Sequence, residues 1–306
     1  MPRIAFQITP TVCRERESGF SVVFSAWGVP ISIGTNQIIP SLFDHLPPGT
    51  EPSVGAPKRS YTLMEVSSTS RSSRRAGQCG LETSRPETSR PANAGCVYEL
   101  KAGQTTLLKT NDLREVMEVL ESDLQLQVAY MCEQRLFVHA GVVGWKGRAI
   151  LIPGLSCTGK TTLVTALVKA GATYYSDEYA VLDEHGCVHP YAKRLSIRVP
   201  GDKVRIRCEP TELGGTQGVG PLPVSLIVVT YYRSGANWRP RLLSRGRAVL
   251  ALIGNTVSIR RRPQFCLPIL HSIVSRALAL ESVRGEAEEV PELLFREIDD
   301  PSQAAG

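Results

Sequence analysis

The stretch PGLSCTGKTTL, residues 153 to 163, sets Gly154 and Gly159 five positions apart and follows them with Lys160, Thr161 and Thr162. Those residue types in that spacing satisfy GxxxxGK(S/T), a cradle for phosphate groups. The glycines let backbone N–H groups curve around phosphate oxygens, the lysine neutralises β and γ charge, and the first hydroxyl is a ligand for magnesium. Ser156, Thr158 and Thr162 add further hydroxyls to the same loop. ATP and Mg2+ are therefore the expected ligands. The context suits a cradle, because the apolar run RAILIP before the loop reads as a strand. TTLVTALVKAG after it carries Leu163, Val164, Leu167 and Val168 on one helical stripe, with Gly171 as a stop.

Two further sites of chemistry are brought toward this loop. LFVHAGVVG and RAILIPG flank WKG and read as a β-hairpin; if Gly144 pairs with Arg148, His139 faces Pro153 at the mouth of the cradle. From AILIP through the helix to ATYYS the chain reads as strand, helix, parallel strand, so both strands end on one edge of the sheet. Asp177 and Glu178 follow the second strand there, so at least one of the two carboxylates is expected to face the γ-phosphate or its magnesium. A carboxylate so placed can hold the metal or take the proton of an attacking hydroxyl, and His139 can tune or relay it. Thr161, Asp177 and Glu178 are the candidate metal ligands; Asp177, His139 and Glu178 are the candidate catalytic groups.

HAGVVGWKGRAILIPGLSCTGKTTL followed by GATYYSDEY resembles the catalytic domain of the HPr serine kinase/phosphorylase family. The separations of 15 residues from His139 to Gly154 and 17 from Lys160 to Asp177 agree with that arrangement. The resemblance spans about residues 136 to 182 at the level of motifs. It implies an α/β fold of the phosphate-loop kinase type, related to phosphoenolpyruvate carboxykinase. It also implies that Lys160 contacts the phosphates, Thr161 the magnesium, and that Asp177, assisted by His139, is the base toward a serine hydroxyl. Self-association is a further implication. The chain departs from the family in having Asp177-Glu178 where two aspartates are usual, and it lacks the ExRGxG signature. Glu209 and Glu212 in RCEPTELGG are the nearest stand-ins for that signature's glutamate.

The reading is thus an ATP- and Mg2+-dependent kinase acting on a serine or threonine hydroxyl of a protein or peptide. A small-molecule kinase and a non-catalytic module gated by ATP use the same cradle. LGGTQ at 213 to 217 looks like the signature of transport ATPases, but it follows Asp177-Glu178 where those proteins have it first, and no NKxD motif marks a GTPase.

The remaining elements must position this set. Residues 1 to 130 form an N-terminal region rich in short alternating runs (GFSVVFSAWGVPISIG, SYTLMEV, CVYELKAGQTTLL) and read as strands. Residues 66 to 95, with ETSRP repeated in tandem, read as a flexible insertion. A helix is predicted from Asp112, and residues 131 to 306 form the second domain, with a hairpin around DEHG and the buried strand VSLIVVTYY. Helices are predicted near 246 to 256, 266 to 280 and 286 to 296. The net charge of +6 is not gathered into a basic and aromatic cluster, IRRRP being the densest run, so no nucleic-acid partner is expected. The eight cysteines lack metal or disulfide spacing, no apolar run reaches a membrane span, and a cytoplasmic protein is expected.

Overall fold

The computed structural model describes residues 19–67, 96–156, 158–198 and 205–299. Cys157 and the tandem ETSRP segment lie outside the described residues. The chain divides into two compact units, Met1–Gln125 and Leu126–Gly306.

The first unit is a six-stranded sheet built from β1 (Phe20–Ala26), β2 (Val29–Thr35), β3 (Thr50–Pro52), β4 (Arg59–Ser67), β5 (Cys96–Ala102) and β6 (Thr105–Thr110), in the order β3-β1-β2-β4-β5-β6. Val66 and Ser67, the first residues of the predicted insertion, belong instead to β4 and pair with Val97 and Cys96; the rest of that segment up to residue 95 lies outside the described residues. Alternation places Phe24, Ile31, Ile33, Leu63 and Leu100 on a buried face. α1 (Leu113–Met131) starts where the sequence predicts, with the Asp112 carboxylate accepting from the Arg114 amide at 2.9 Å. Tyr61 ties the sheet to this helix through a 2.6 Å hydrogen bond to Asp123.

The second unit holds β7 (Leu136–Trp145), β8 (Arg148–Pro153), α2 (Lys160–Lys169), β9 (Thr173–Ser176), β10 (Tyr179–Leu182), β11 (Cys187–His189), β12 (Leu195–Arg198), β13 (Arg205–Cys208), β14 (Leu222–Tyr232), β15 (Arg241–Leu242), α3 (Arg245–Ile253), α4 (Pro263–Arg276), β16 (Leu278–Arg284) and α5 (Pro291–Asp299). Its eight-stranded sheet runs β11-β10-β7-β8-β14-β16-β15, with β9 beside β7. α3 and α4 cover one face through Ala248, Leu252, Cys266, Ile269, Leu270 and Ile273. α2 and α5 cover the other through Leu163, Val164, Leu167, Leu294 and Ile298. Covered on both faces, β8 and β14 can be apolar at nearly every position. Gly141 lets α2 lie close on β7, because a Cβ there would come within 2.6 Å of Val164 Cγ2.

Three details differ from the sequence reading. The hairpin closes through two residues, Lys146 and Gly147, both with positive φ (46° and 75°), so Trp145 pairs with Arg148 and Pro153 faces Ala140 instead of His139. A two-residue turn with both residues at positive φ matches the right-handed twist of the strands it joins. β8 and β9 point the same way but are separated by β7, which is antiparallel to both. Finally, the helix predicted over 266 to 280 stops at Arg276, and Leu278–Arg284 is a strand parallel to β14. Leu278, Ala279 and Leu280 have helical propensity, but pairing of every residue from Leu278 to Arg284 with β14 overrides it.

Candidate functional site

The loop between β8 and α2 is anchored from within. Lys160, buried at the first turn of α2, donates from Nζ to the carbonyls of Gly154 (2.8 Å) and Leu155 (2.7 Å). Thr158 Oγ1 donates to the Leu155 carbonyl at 2.9 Å. The Gly154 amide donates to the His139 carbonyl at 3.2 Å, so the loop opens directly beside that histidine despite the altered register. Gly159 is left-handed (φ 87°, ψ 17°) and aims the following amides along the start of α2. Ser156 and Thr162 are exposed on the loop and the helix.

Asp177 and Glu178 sit in the turn from β9 to β10, where the Ser176 hydroxyl accepts from the amides of Glu178 (3.1 Å) and Tyr179 (3.0 Å). This turn sends the two carboxylates to different partners. Asp177, 4% exposed, accepts from Thr161 Oγ1 at 3.1 Å and from the Tyr174 hydroxyl at 3.0 Å. Burial raises its pKa, opposed by the charge of Lys193 and by those hydrogen bonds. The Tyr174 hydroxyl is in turn pushed well up by burial and by the adjacent Asp177.

Glu178 meets His139 Nε2 at 3.2 Å and Lys193 Nζ at 3.4 Å. Burial would raise its pKa, but the hydrogen bond from His139 and the charge of Lys193 outweigh it and hold the carboxyl down at about 2. The pairing Tyr179–His139 between β10 and β7 fixes this contact, since Glu178 directly precedes Tyr179.

The structure therefore brings together His139, Lys160, Thr161, Asp177 and Glu178 as the sequence predicts. It adds Tyr174, Ser176 and Lys193, which the sequence reading missed. Ser176 was legible in principle as a hydroxyl two residues ahead of an amide that needs a partner. Lys193, in PYAKR, carries no local signal. Glu209 accepts from Arg194 at 2.7 Å. The glycine-rich loop at 213 to 221 packs as a scaffold, with the Thr216 carbonyl and the Gly218 amide both bonded to the backbone of Tyr174. Two arginines of IRRRP are structural too: Arg261 donates to the Tyr130 carbonyl and Arg262 to that of Cys132, where α1 ends.

On the opposite side of the loop, Arg284 at the end of β16 is 2% exposed and donates from Nη2 to the Gly159 carbonyl at 2.8 Å. The helix predicted over 266 to 280 gives Arg284 no place beside this loop, so the sequence alone does not find this contact.

No protein-family model and no curated protein matches the chain. Among solved structures it is similar to the HPr(Ser) kinase/phosphatase from Coxiella burnetii, with 15% sequence identity, over 55% of this chain and 97% of that one, at a TM-score of 0.31. The likeness is a distant structural relationship within mixed α/β architecture. Among the described residues no helix is long and apolar enough to cross a membrane.

Proposed function

We propose that the second unit is an ATP- and Mg2+-dependent kinase that transfers the γ-phosphate to a serine or threonine hydroxyl of a protein or peptide. The observation that carries this reading is the Thr161–Asp177 hydrogen bond of 3.1 Å, set one residue from the His139–Glu178 pair. Such a hydroxyl and carboxylate are hard oxygen donors. Among the described residues no group of three His, Cys, Asp or Glu could cage a metal by itself. The donor set fits Mg2+, which keeps waters and completes its shell from substrate phosphates. Bound there by Thr161 and Asp177, the ion would offset the charge that gathers on the phosphate oxygens.

The chain's own residues supply the rest. Lys160 and the loop amides hold the β- and γ-phosphates, and Gly159 gives those amides their direction. Glu178, in place of the Asp177 that the resemblance implies, orients the acceptor hydroxyl, because the Asp177 carboxylate is engaged by Thr161 and Tyr174. As the new O–P bond forms and the bond to the ADP oxygen breaks, Glu178 receives the hydroxyl proton. His139 and Lys193 hold Glu178 in place and ionised. A carboxylate of low pKa suffices, because in a loose phosphoryl-transfer transition state the proton leaves late. The acceptor class rests on the sequence resemblance.

Three variants test the reading with labelled ATP. Lys160→Ala should weaken ATP binding tenfold or more. Glu178→Gln should spare ATP binding while lowering transfer by about 10²–10⁴-fold, the range for loss of a general base, whereas Asp177→Asn should lower transfer through loss of a magnesium ligand, a deficit that raised Mg2+ partly recovers. Glu178→Gln with transfer within threefold of the parent would remove Glu178 from the chemistry. ATP binding that gates a partner, with no transfer to any macromolecule or small molecule, would establish the non-catalytic module instead.

A further inference from the structure

β8, β14 and β16 are adjacent and parallel, so Pro153, Tyr232 and Arg284 emerge at one edge of the sheet. Ligands of such sheets bind outside that edge. The groups described above as catalytic all come from the side of β8 occupied by β7, β9 and β10. The β14 and β16 side carries a different set. Arg284 is fully buried, donates to the carbonyls of Gly159 (2.8 Å) and Gly285 (3.1 Å), and forms no carboxylate ion pair among the described residues. Its Nε has no hydrogen-bond partner. A buried guanidinium with incomplete pairing is costly to keep, and packing alone does not call for one.

Tyr232 lies over this arginine, the guanidinium carbon being 5.6 Å from the ring centroid. Its hydroxyl donates to Glu286 at 3.0 Å, so the ring is braced at both ends, yet the residue is 47% exposed. It also adjoins the loop. A Cβ added to Gly159 would stand 3.7 Å from the Cβ of Tyr232 and would collide with Arg284 Nη2.

With the γ-phosphate facing Thr161 and Asp177 on the β7, β9 and β10 side, the side of the loop left for the nucleoside is the one carrying β14 and β16. Building on the phosphate-binding reading above, we propose that Tyr232 is the platform on which the nucleobase stacks, with Arg284 as the positioning residue that holds ring and loop together. An exposed ring braced on a cation offers a flat, rigid face at little entropic cost, and stacking on such a face is tolerant of base identity.

The test compares Mg-ATP with Mg-tripolyphosphate, which has the phosphates and no base, in equilibrium titrations of the full-length chain. Tyr232→Ala should weaken ATP about tenfold, within the range for loss of one stacked base, and leave tripolyphosphate within twofold. Tyr232→Trp should retain ATP, which controls for a general disturbance of the loop. Equal losses for both ligands in Tyr232→Ala, or no loss for either, would overturn the platform while leaving the cradle standing. A parent chain that binds neither ligand would overturn the cradle, and the platform with it.

Discussion

Asp177 and Glu178 are adjacent in sequence and opposite in circumstance. Asp177 is enclosed by hydroxyls from Thr161 and Tyr174, whereas Glu178 is flanked by His139 and Lys193. In the proposed reaction the two carboxylates have different roles, one toward the magnesium and one toward the acceptor hydroxyl, and variants should separate them. Removing the Lys193 charge with Lys193→Met should lower transfer about tenfold or more with ATP affinity nearly unchanged, since charge-assisted contacts of this kind contribute about 1.5–3 kcal/mol. Single-turnover transfer measured beside ATP titration checks it; an equal loss in both would place Lys193 on the nucleotide. At this scale the cradle, His139 and the acidic pair were legible because their types and spacing are themselves the signal. Lys193 and Arg284 were not, since each reaches the site only through the folding of a distant segment.

At the scale of elements, the contact of α2 with β7 is set by the absence of a side chain at Gly141. Gly141→Ala should push Val164 outward and cost about 1–3 kcal/mol, the usual range for overpacking. Adding Val164→Ala should recover part of it, as thermal melts of the single and double variants would show. The β10–β11 hairpin offers a pH-dependent counterpart. Asp183 accepts from the amides of His185 (3.0 Å) and Cys187 (2.9 Å) and pairs with His189 at 2.9 Å. Burial would raise its pKa, but these contacts hold it below the ordinary value. Its contribution is thus fully present above the unfolded carboxylate pKa of about 3.9. It is lost as pH falls through the lower folded value. The His185 and Cys187 amides should lose exchange protection in that acid window, and Asp183→Ala should remove the pH dependence; protection unchanged down to pH 2 would contradict it.

The strands that alternate or run continuously apolar were readable as elements, but their pairings were not. A two-residue turn instead of three shifts His139 from facing Pro153 to facing Gly154, a difference of one residue that periodicity alone does not resolve. β16 was hidden because Leu278, Ala279 and Leu280 suit a helix as well as a strand, and only the neighbouring β14 decides between them.

In the whole molecule, the second unit carries every residue assigned to phosphate chemistry, and the first is a sheet with a buried face and a helix, without any of those groups. We propose that the first unit recognises the acceptor. A chain lacking residues 1 to 125 should bind Mg-ATP with the parent's affinity and fail to phosphorylate the native acceptor; full activity on that acceptor would refute the assignment.

The most direct measurement of the central claim is transfer from γ-labelled ATP in a lysate of the native organism, comparing the intact chain with Glu178→Gln and Asp177→Asn. The account predicts label on one protein or peptide, at serine or threonine, with the intact chain alone. ATP bound by all three proteins, with no labelled macromolecule from any of them, would contradict it.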